Sequence, residues 1–357
     1  MIKIKQLYKK LLRKIWGKTS LPSDFLGPET IRIYPVGYLC NHACPMCWRS
    51  NNVDPERKKL LTALEKKSLT IDEYKQIFET LPPNVQTVEV VGGGEPLMFN
   101  KINELIDLIR YHNLYGSLIT NGVLLRKKIA QKIAQTKWEN VRVSFHAATQ
   151  KTYKIINGVD TYHLVIKNIE DFINIKDKKT KIGCLFVIQK GNYHEIYEFA
   201  KKMQKIGVNY VEFDALFPYT KQMKLNKKEL AKTLQELVKV KNTIKIKNNS
   251  LEIIKGYLKH PNRSQLKINK NKYFKNKFCD IPMHSLIIDS LGKISPCCFL
   301  DSSEKNGVET GNLREQKDLW KVWNNKKYRE IRSSISSGSL LSTCTEQCYV
   351  MLKNVKN

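Results

Sequence analysis

Cys40, Cys44 and Cys47 fall within one turn-sized stretch, C-N-H-A-C-P-M-C, just after a short β-branched run that includes Ile31, Ile33 and Val36. Three thiolates on one loop can hold three irons of a [4Fe–4S] cube and leave the fourth iron without a protein ligand. An open metal position is what catalysis needs and what a structural site avoids. Structural zinc fits less well, because it takes four ligands from paired motifs and no second pair lies nearby. A disulfide fits least, since an odd local count leaves one thiol unpaired.

About 45 residues further on, Val88-Glu89-Val90-Val91 opens into Gly92-Gly93-Gly94-Glu95-Pro96. Consecutive glycines after a strand let the backbone approach a ligand closely with its N–H and C=O groups exposed. Alone, such a turn is a weak signal. Together with the cysteine triad it is specific: the chain resembles the radical S-adenosylmethionine (SAM) enzymes, in which that triad precedes a G-G-E-P turn after the second strand. Thr120-Asn121-Gly122 and Ser144 are also similar to that family, and the resemblance runs from about residue 30 to 348. It implies SAM bound through the open iron. Gly93, Gly94 and Glu95 would hold its methionine part and Ser144 its ribose, with Gly92 and Asn121 also at the cofactor site. Met46 stands where the family prefers an aromatic residue, and only its backbone is expected to touch the adenine. A reducing flavodoxin or ferredoxin is the implied electron donor.

These residues need a scaffold. Strand-like runs are predicted at 31–36, 87–91, 116–120, 141–146, 182–188 and 210–216, and helices at 71–81, 101–112, 124–135, 162–175, 193–206 and 227–243. Thr70-x-x-Glu73 is a capping box for the first helix. Six β-α units in succession imply a parallel sheet wrapped by helices. The resemblance makes this an α/β partial (β/α)6 TIM-like barrel at 30–220, with chemistry at the C-terminal ends of its strands. A Lys- and Asn-rich stretch of poor periodicity, 241–277, reads as a connector within 221–278.

Past it lie Cys279, Cys297, Cys298, Cys344 and Cys348, around a hairpin pattern of Ser285–Asp289 and Lys293–Cys297 turned at Ser290-Leu291-Gly292. Cys279-x12-Gly292-x4-Cys297, Gly311-Asn312-Leu313 and a helix over Trp320–Arg332 are similar to the SPASM/twitch domains that follow many radical SAM barrels. Residues 279–357 are thus expected to form a small hairpin-plus-helix iron–sulfur domain. Cys279, Cys297, Cys344 and Cys348 would fully ligate an auxiliary [4Fe–4S] cluster. Zinc on four cysteines is the alternative, and Cys298 could exchange roles with Cys297.

Alternate residues of a strand face opposite sides. With Val141, Val143 and Phe145 toward the helices, Arg142, Ser144 and His146 point inward. Likewise Val211, Phe213 and Ala215 face out and Glu212 and Asp214 face in, while Val88 and Val90 leave Thr87 and Glu89 inside. So many ionisable groups are costly in a barrel unless they pair or bind something polar. They read as a wet pocket, with internal ion pairs accounting for some. His146 departs from the Asp that many relatives carry there. Cys184, mid-strand, reads as a small core hydrophobe.

The chain carries 62 Lys and Arg against 33 Asp and Glu, a net charge of +29. This suits polyanionic partners, and equally a Lys-rich solvated surface. No nucleic-acid motif with interleaved aromatics is present, so a nucleic-acid substrate is not favoured. No membrane-length apolar run or signal-peptide core occurs, and nine cysteines fit a reducing cytoplasm better as metal ligands than as disulfides. Residues 1–29 form a separate segment. Its first 18 residues place Ile4, Leu7, Leu11 and Ile15 on one face of a basic helix, which could pack on the barrel or lie on an anionic membrane. Fewer than 40 residues precede the triad, too few for a leader-peptide-binding domain.

The expected activity is hydrogen abstraction by a 5′-deoxyadenosyl radical from a small polar molecule such as a sugar or aminocyclitol. The outcome would be oxidation of an alcohol carbon, with Glu212, Asp214 or His146 as base. The alternatives are epimerisation, with Cys184 or Cys298 returning a hydrogen atom, and modification of a peptide or protein. A non-catalytic iron–sulfur or zinc protein with a polyanionic partner is the reading outside enzymology.

Overall fold

The computed structural model describes residues 27–47, 63, 66–136, 138–216, 225–259, 279, 281–298 and 308–336. The basic N-terminal stretch 1–18, the second half of the expected connector, Cys344 and Cys348 lie outside the described residues.

In chain order come β1 (Thr30–Ile33), α1 (Ile71–Glu79), β2 (Thr87–Val90), α2 (Ile102–Tyr111), β3 (Tyr115–Thr120), α3 (Lys127–Gln135), β4 (Asn140–Ser144), α4 (Gln150–Asn157), α5 (Tyr162–Ile175), β5 (Lys181–Ile188), α6 (Ile196–Ile206), β6 (Tyr210–Ala215) and α7 (Lys227–Thr243). The strands pair in sequence order and all in parallel, since each is followed by at least one helix that returns the chain to the same end of the sheet. This is a partial (β/α)6 barrel.

Three details depart from the sequence pattern. A helix not anticipated there, α4, is capped by Thr149, whose side chain accepts from the Thr152 N–H, and is ended by Gly158 at φ 68°. After α7 the poorly periodic stretch still folds in part, as the two-residue β7 (Lys247–Asn248), parallel to β6, and α8 (Ser250–Lys259). The expected Trp320–Arg332 helix is two helices. It breaks at Asn324-Asn325, where the Asn325 side chain accepts from the Tyr328 N–H and starts a new helix.

The C-terminal hairpin continues the barrel sheet. After the short α9 (Ile281–His284), β8 (Ser285–Ile288) pairs in parallel with β1, placing Ile287 beside Arg32, and β9 (Lys293–Ser295) and β10 (Gly311–Asn312) follow antiparallel. Then come α10 (Leu313–Gln316), α11 (Leu319–Trp323) and α12 (Lys326–Ser336). Arg314 of α10 reaches Glu73 of α1 at 2.7 Å, and that carboxylate also closes the Thr70 capping box.

The core lies between sheet and helices. Ile31, Ile33, Val88, Val90, Leu118, Val141, Val143, Ile182, Phe186, Val211 and Phe213 form its sheet side and are all buried. No helix among the described residues is long and apolar enough to cross a membrane.

Candidate active site

The opposite face of the sheet opens, at the C-terminal strand ends, into a cavity of about 680 Å³. Its walls bring together Cys40, Cys44 and Cys47, the turn Gly92–Glu95, Asn121, Ser144 and His146, with Arg32, Glu89, Arg142, Glu212 and Asp214 along the sheet. Ile281 and Cys298 reach it from the C-terminal extension.

The glycine turn is fastened to the cysteine loop. A Cβ on Gly94 would sit 2.2 Å from the Leu39 carbonyl oxygen, so only glycine lets the two backbones meet. There the Glu95 N–H donates to that same oxygen at 2.8 Å. The buried Glu95 carboxylate then accepts from the Thr120 hydroxyl (2.6 Å), the Asn121 N–H (2.7 Å) and the Leu97 N–H (3.2 Å). Burial raises its pKa to about 7, and the three donors oppose that rise. Glu95 thus locks β2 to β3, with lone-pair capacity left for at most one further donor.

The cysteine loop is braced from α4. The Ala43 N–H donates to the Asn157 carbonyl oxygen at 3.2 Å, and the Cys44 thiol lies 3.6 Å from the same oxygen. Gly158 passes so close that a Cβ there would stand 2.2 Å from the Ala43 oxygen. The His42 imidazole, which burial lowers to a pKa of about 4, packs edge-on to Tyr153. None of these braces was identified from sequence, although Gly158 at a helix end was a readable signal. Burial, and then the neighbouring Cys47 and Cys40, push the Cys44 thiol up to about 12. Thiols so placed keep their protons until a cation displaces them, which is how metal binding drives thiol ionisation. The Cys40 sulfur also receives the His42 N–H at 3.4 Å.

Along the sheet the inward carboxylates are paired. Glu212 meets Arg142 at 2.6 Å, and Glu89 meets Arg32, a partner the sequence reading overlooked, also at 2.6 Å. Burial opposes the Arg32 charge, but Glu89 and neighbouring groups outweigh it and its pKa rises. Asp214 sits on the same face of β6, two residues beyond Glu212.

Two expected catalytic residues are corrected. Cys184 pairs with Val143 and Val211 on the helix side of the sheet, fully buried in the core and out of reach of the cavity. Its place in the core counts against a part in hydrogen return. His146 does face the cavity, but its Nδ1 accepts the Val187 N–H at 3.1 Å and burial lowers its pKa to about 3. The Nδ1 lone pair is thereby occupied, which counts against His146 as the base. Met46 accepts a contact from Gln189 Nε2 at 2.8 Å and does not line the cavity. Cys279 and Cys297 also lie outside it, whereas Cys298 is in it, so the adjacent thiols occupy different environments.

The family model of the radical SAM superfamily matches residues 34–203, and that of an iron–sulfur cluster-binding domain, SPASM, matches residues 279–349. The chain belongs to the radical SAM superfamily. Among curated relatives, a probable GTP 3′,8-cyclase of Saccharolobus islandicus is 28% identical over 199 residues, 53% of this chain and 58% of the cyclase. The mycofactocin maturase MftC of Mycolicibacterium smegmatis is 25% identical over 174 residues, 49% of this chain and 41% of the maturase. The chain thus spans about half the length of the curated relatives it matches. In fold it is similar to Streptococcus suis SuiB, solved with its precursor peptide SuiA. The TM-score is 0.63 at 21% identity, covering 92% of this chain and 74% of SuiB.

Radical SAM and SPASM domains bring SAM and [4Fe–4S] clusters, and the first site fits them. Three thiols line one cavity, with backbone and amide N–H groups directed at the Cys40 sulfur, and the Gly94 cradle lines it too. Bound there, a reduced cluster and SAM would supply hydrogen-atom abstraction. The chain itself supplies orientation and the polar lining of the cavity.

Proposed function

We propose that this radical SAM enzyme modifies a peptide or protein substrate, and not the small polyol that the polar interior suggests. The observation that carries this reading is the correspondence to SuiB over 92% of the chain, barrel and C-terminal extension together, because SuiB has been solved with a precursor peptide. MftC, named a maturase, supports it. The cavity suits such a substrate. Its volume falls within the range of ligand sites, and its two Arg–Glu pairs offer guanidinium donors beside carboxylate acceptors, matching the alternating C=O and N–H groups of a peptide.

In this reading Cys40, Cys44 and Cys47 hold the SAM-binding cluster, and Gly92, Gly93, Gly94, Asn121 and Ser144 line the SAM site. Cys279, Cys297, Cys344 and Cys348 hold the auxiliary cluster. Glu212, paired with Arg142, and Asp214, whose Oδ1 accepts the Ala215 N–H at 3.0 Å, both line the cavity and are the candidate bases for the proton lost when the substrate radical passes an electron to the auxiliary cluster. The likeness to GTP 3′,8-cyclases supports a second reading, a nucleotide substrate, but it covers only 53% of this chain.

The test is anaerobic incubation of the reconstituted, reduced enzyme with SAM and a pool of peptides from the source cell, read for 5′-deoxyadenosine and for peptides lighter by two hydrogens. 5′-Deoxyadenosine stimulated by GTP or by sugars, and not by peptides, would refute the reading.

A further inference from the structure

His146 holds a backbone conformation that side chains rarely take, φ 61°, one step past the Phe145 that follows β4. Outside glycine such a conformation persists only where the surroundings impose it, and it concentrates at functional sites. Here three hydrogen bonds impose it. The His146 N–H donates to the Leu185 oxygen (3.3 Å), the Asn192 amide donates to the His146 oxygen (2.8 Å), and the Val187 N–H donates to the ring Nδ1 (3.1 Å). Asn192 is itself fixed, accepting from the Gln189 N–H (2.8 Å) and donating to the Val187 oxygen (2.9 Å). The residue is 5% exposed and lines the cavity.

We propose that His146 is a fixed, neutral hydrogen-bond donor: a positioning residue whose Nε2–H receives an acceptor oxygen or nitrogen of SAM or of the substrate. The tautomer follows from the backbone. With Nδ1 accepting the Val187 N–H at 3.1 Å, the proton of the neutral ring is assigned to Nε2, while the Leu185 backbone, which also hydrogen-bonds the ring, opposes the fall in its pKa. Binding an acceptor is then favoured by one hydrogen bond, and a donor placed there faces another donor.

The test uses the full-length protein with 15N-labelled histidine, reconstituted anaerobically and kept in its diamagnetic oxidised state. Long-range 1H–15N correlation separates the tautomers. The expected result is an Nε2–H ring that stays neutral between about pH 5 and 8, the window in which an ordinary His titrates. Its cross-peak should move on adding SAM, which assigns the acceptor to SAM, or only on adding the peptide pool as well, which assigns it to the substrate. A shift with SAM alone supports the proposal even if no peptide is a substrate. The variant H146N, whose residue tolerates positive φ, should weaken binding of that same ligand by about tenfold, the size of one hydrogen bond. An Nδ1–H tautomer, protonation within that window, or a cross-peak moved by neither SAM nor the peptides would overturn the proposal.

Discussion

Glu95 offers a quantitative check on how the glycine turn is held. Its carboxyl is 3% exposed, and burial lifts its pKa to about 7. In the unfolded chain it titrates near 4.3. Between these values the folded chain binds the proton and the unfolded chain does not, so this group's stabilisation is complete below about pH 4 and is lost as pH rises through about 7. At about 1.4 kcal/mol per pKa unit the full swing is roughly 4 kcal/mol, of which roughly 3 falls between about pH 5 and 8. E95Q removes the titration. Its amide can still accept the Asn121 N–H and donate to the Thr120 hydroxyl, which can reverse, while the Leu97 N–H loses its acceptor. That loss costs about 1 kcal/mol and does not depend on pH. Urea unfolding of the cluster-free chain should therefore show E95Q slightly less stable than wild type at about pH 5, and gaining on it by up to roughly 3 kcal/mol by about pH 8. Groups common to both proteins cancel in the difference. A difference that stays flat across this range would show that Glu95 is ionised throughout, and the reasoning would fail.

Replacing Cys40, Cys44 and Cys47 together with Ala should remove about half the iron and all 5′-deoxyadenosine formation, if each site holds one cube; an unchanged iron content would count against the assignment. G158A places a methyl group against the Ala43 oxygen at positive φ, so it should cost about 2–4 kcal/mol and lower iron retention by the cysteine loop, read by absorbance after gel filtration. C184S puts a hydroxyl in the apolar core and should destabilise by about 1–3 kcal/mol in urea, with the yield of 5′-deoxyadenosine per folded enzyme unchanged; a selective loss of activity would return Cys184 to the site. E212A strands the Arg142 guanidinium, whose Nε already has no hydrogen-bond partner, and should disrupt the barrel floor by about 1–3 kcal/mol, tempered by the pair's partial exposure.

What could be read from the sequence was whatever depends on a local period or spacing. Alternation in β4 and β6 put Arg142, Ser144, Glu212 and Asp214 on the inner face, because a strand's period is two whatever its neighbours. The cysteine spacing and the glycine turn indicated a cofactor site for the same reason. What escaped was set by residues far apart in the chain. Asn157 braces Cys44 from 113 residues away, and Arg32 pairs with Glu89 across 57. Nothing local to β1 marks Arg32 as a cavity residue, because Ile31-Arg32-Ile33 reads equally well as an edge strand with a solvated charge. It becomes part of the floor because β2 lies on one side and β8 of the extension on the other. His146 shows the same limit in chemistry. Inward alternation was legible, and a base was the natural inference from a histidine in a polar pocket. The role we propose turns instead on one N–H of the neighbouring strand, Val187, which donates to the ring Nδ1. A side chain's position can follow from its own strand, but which of its atoms is left to meet a ligand is decided by its neighbours.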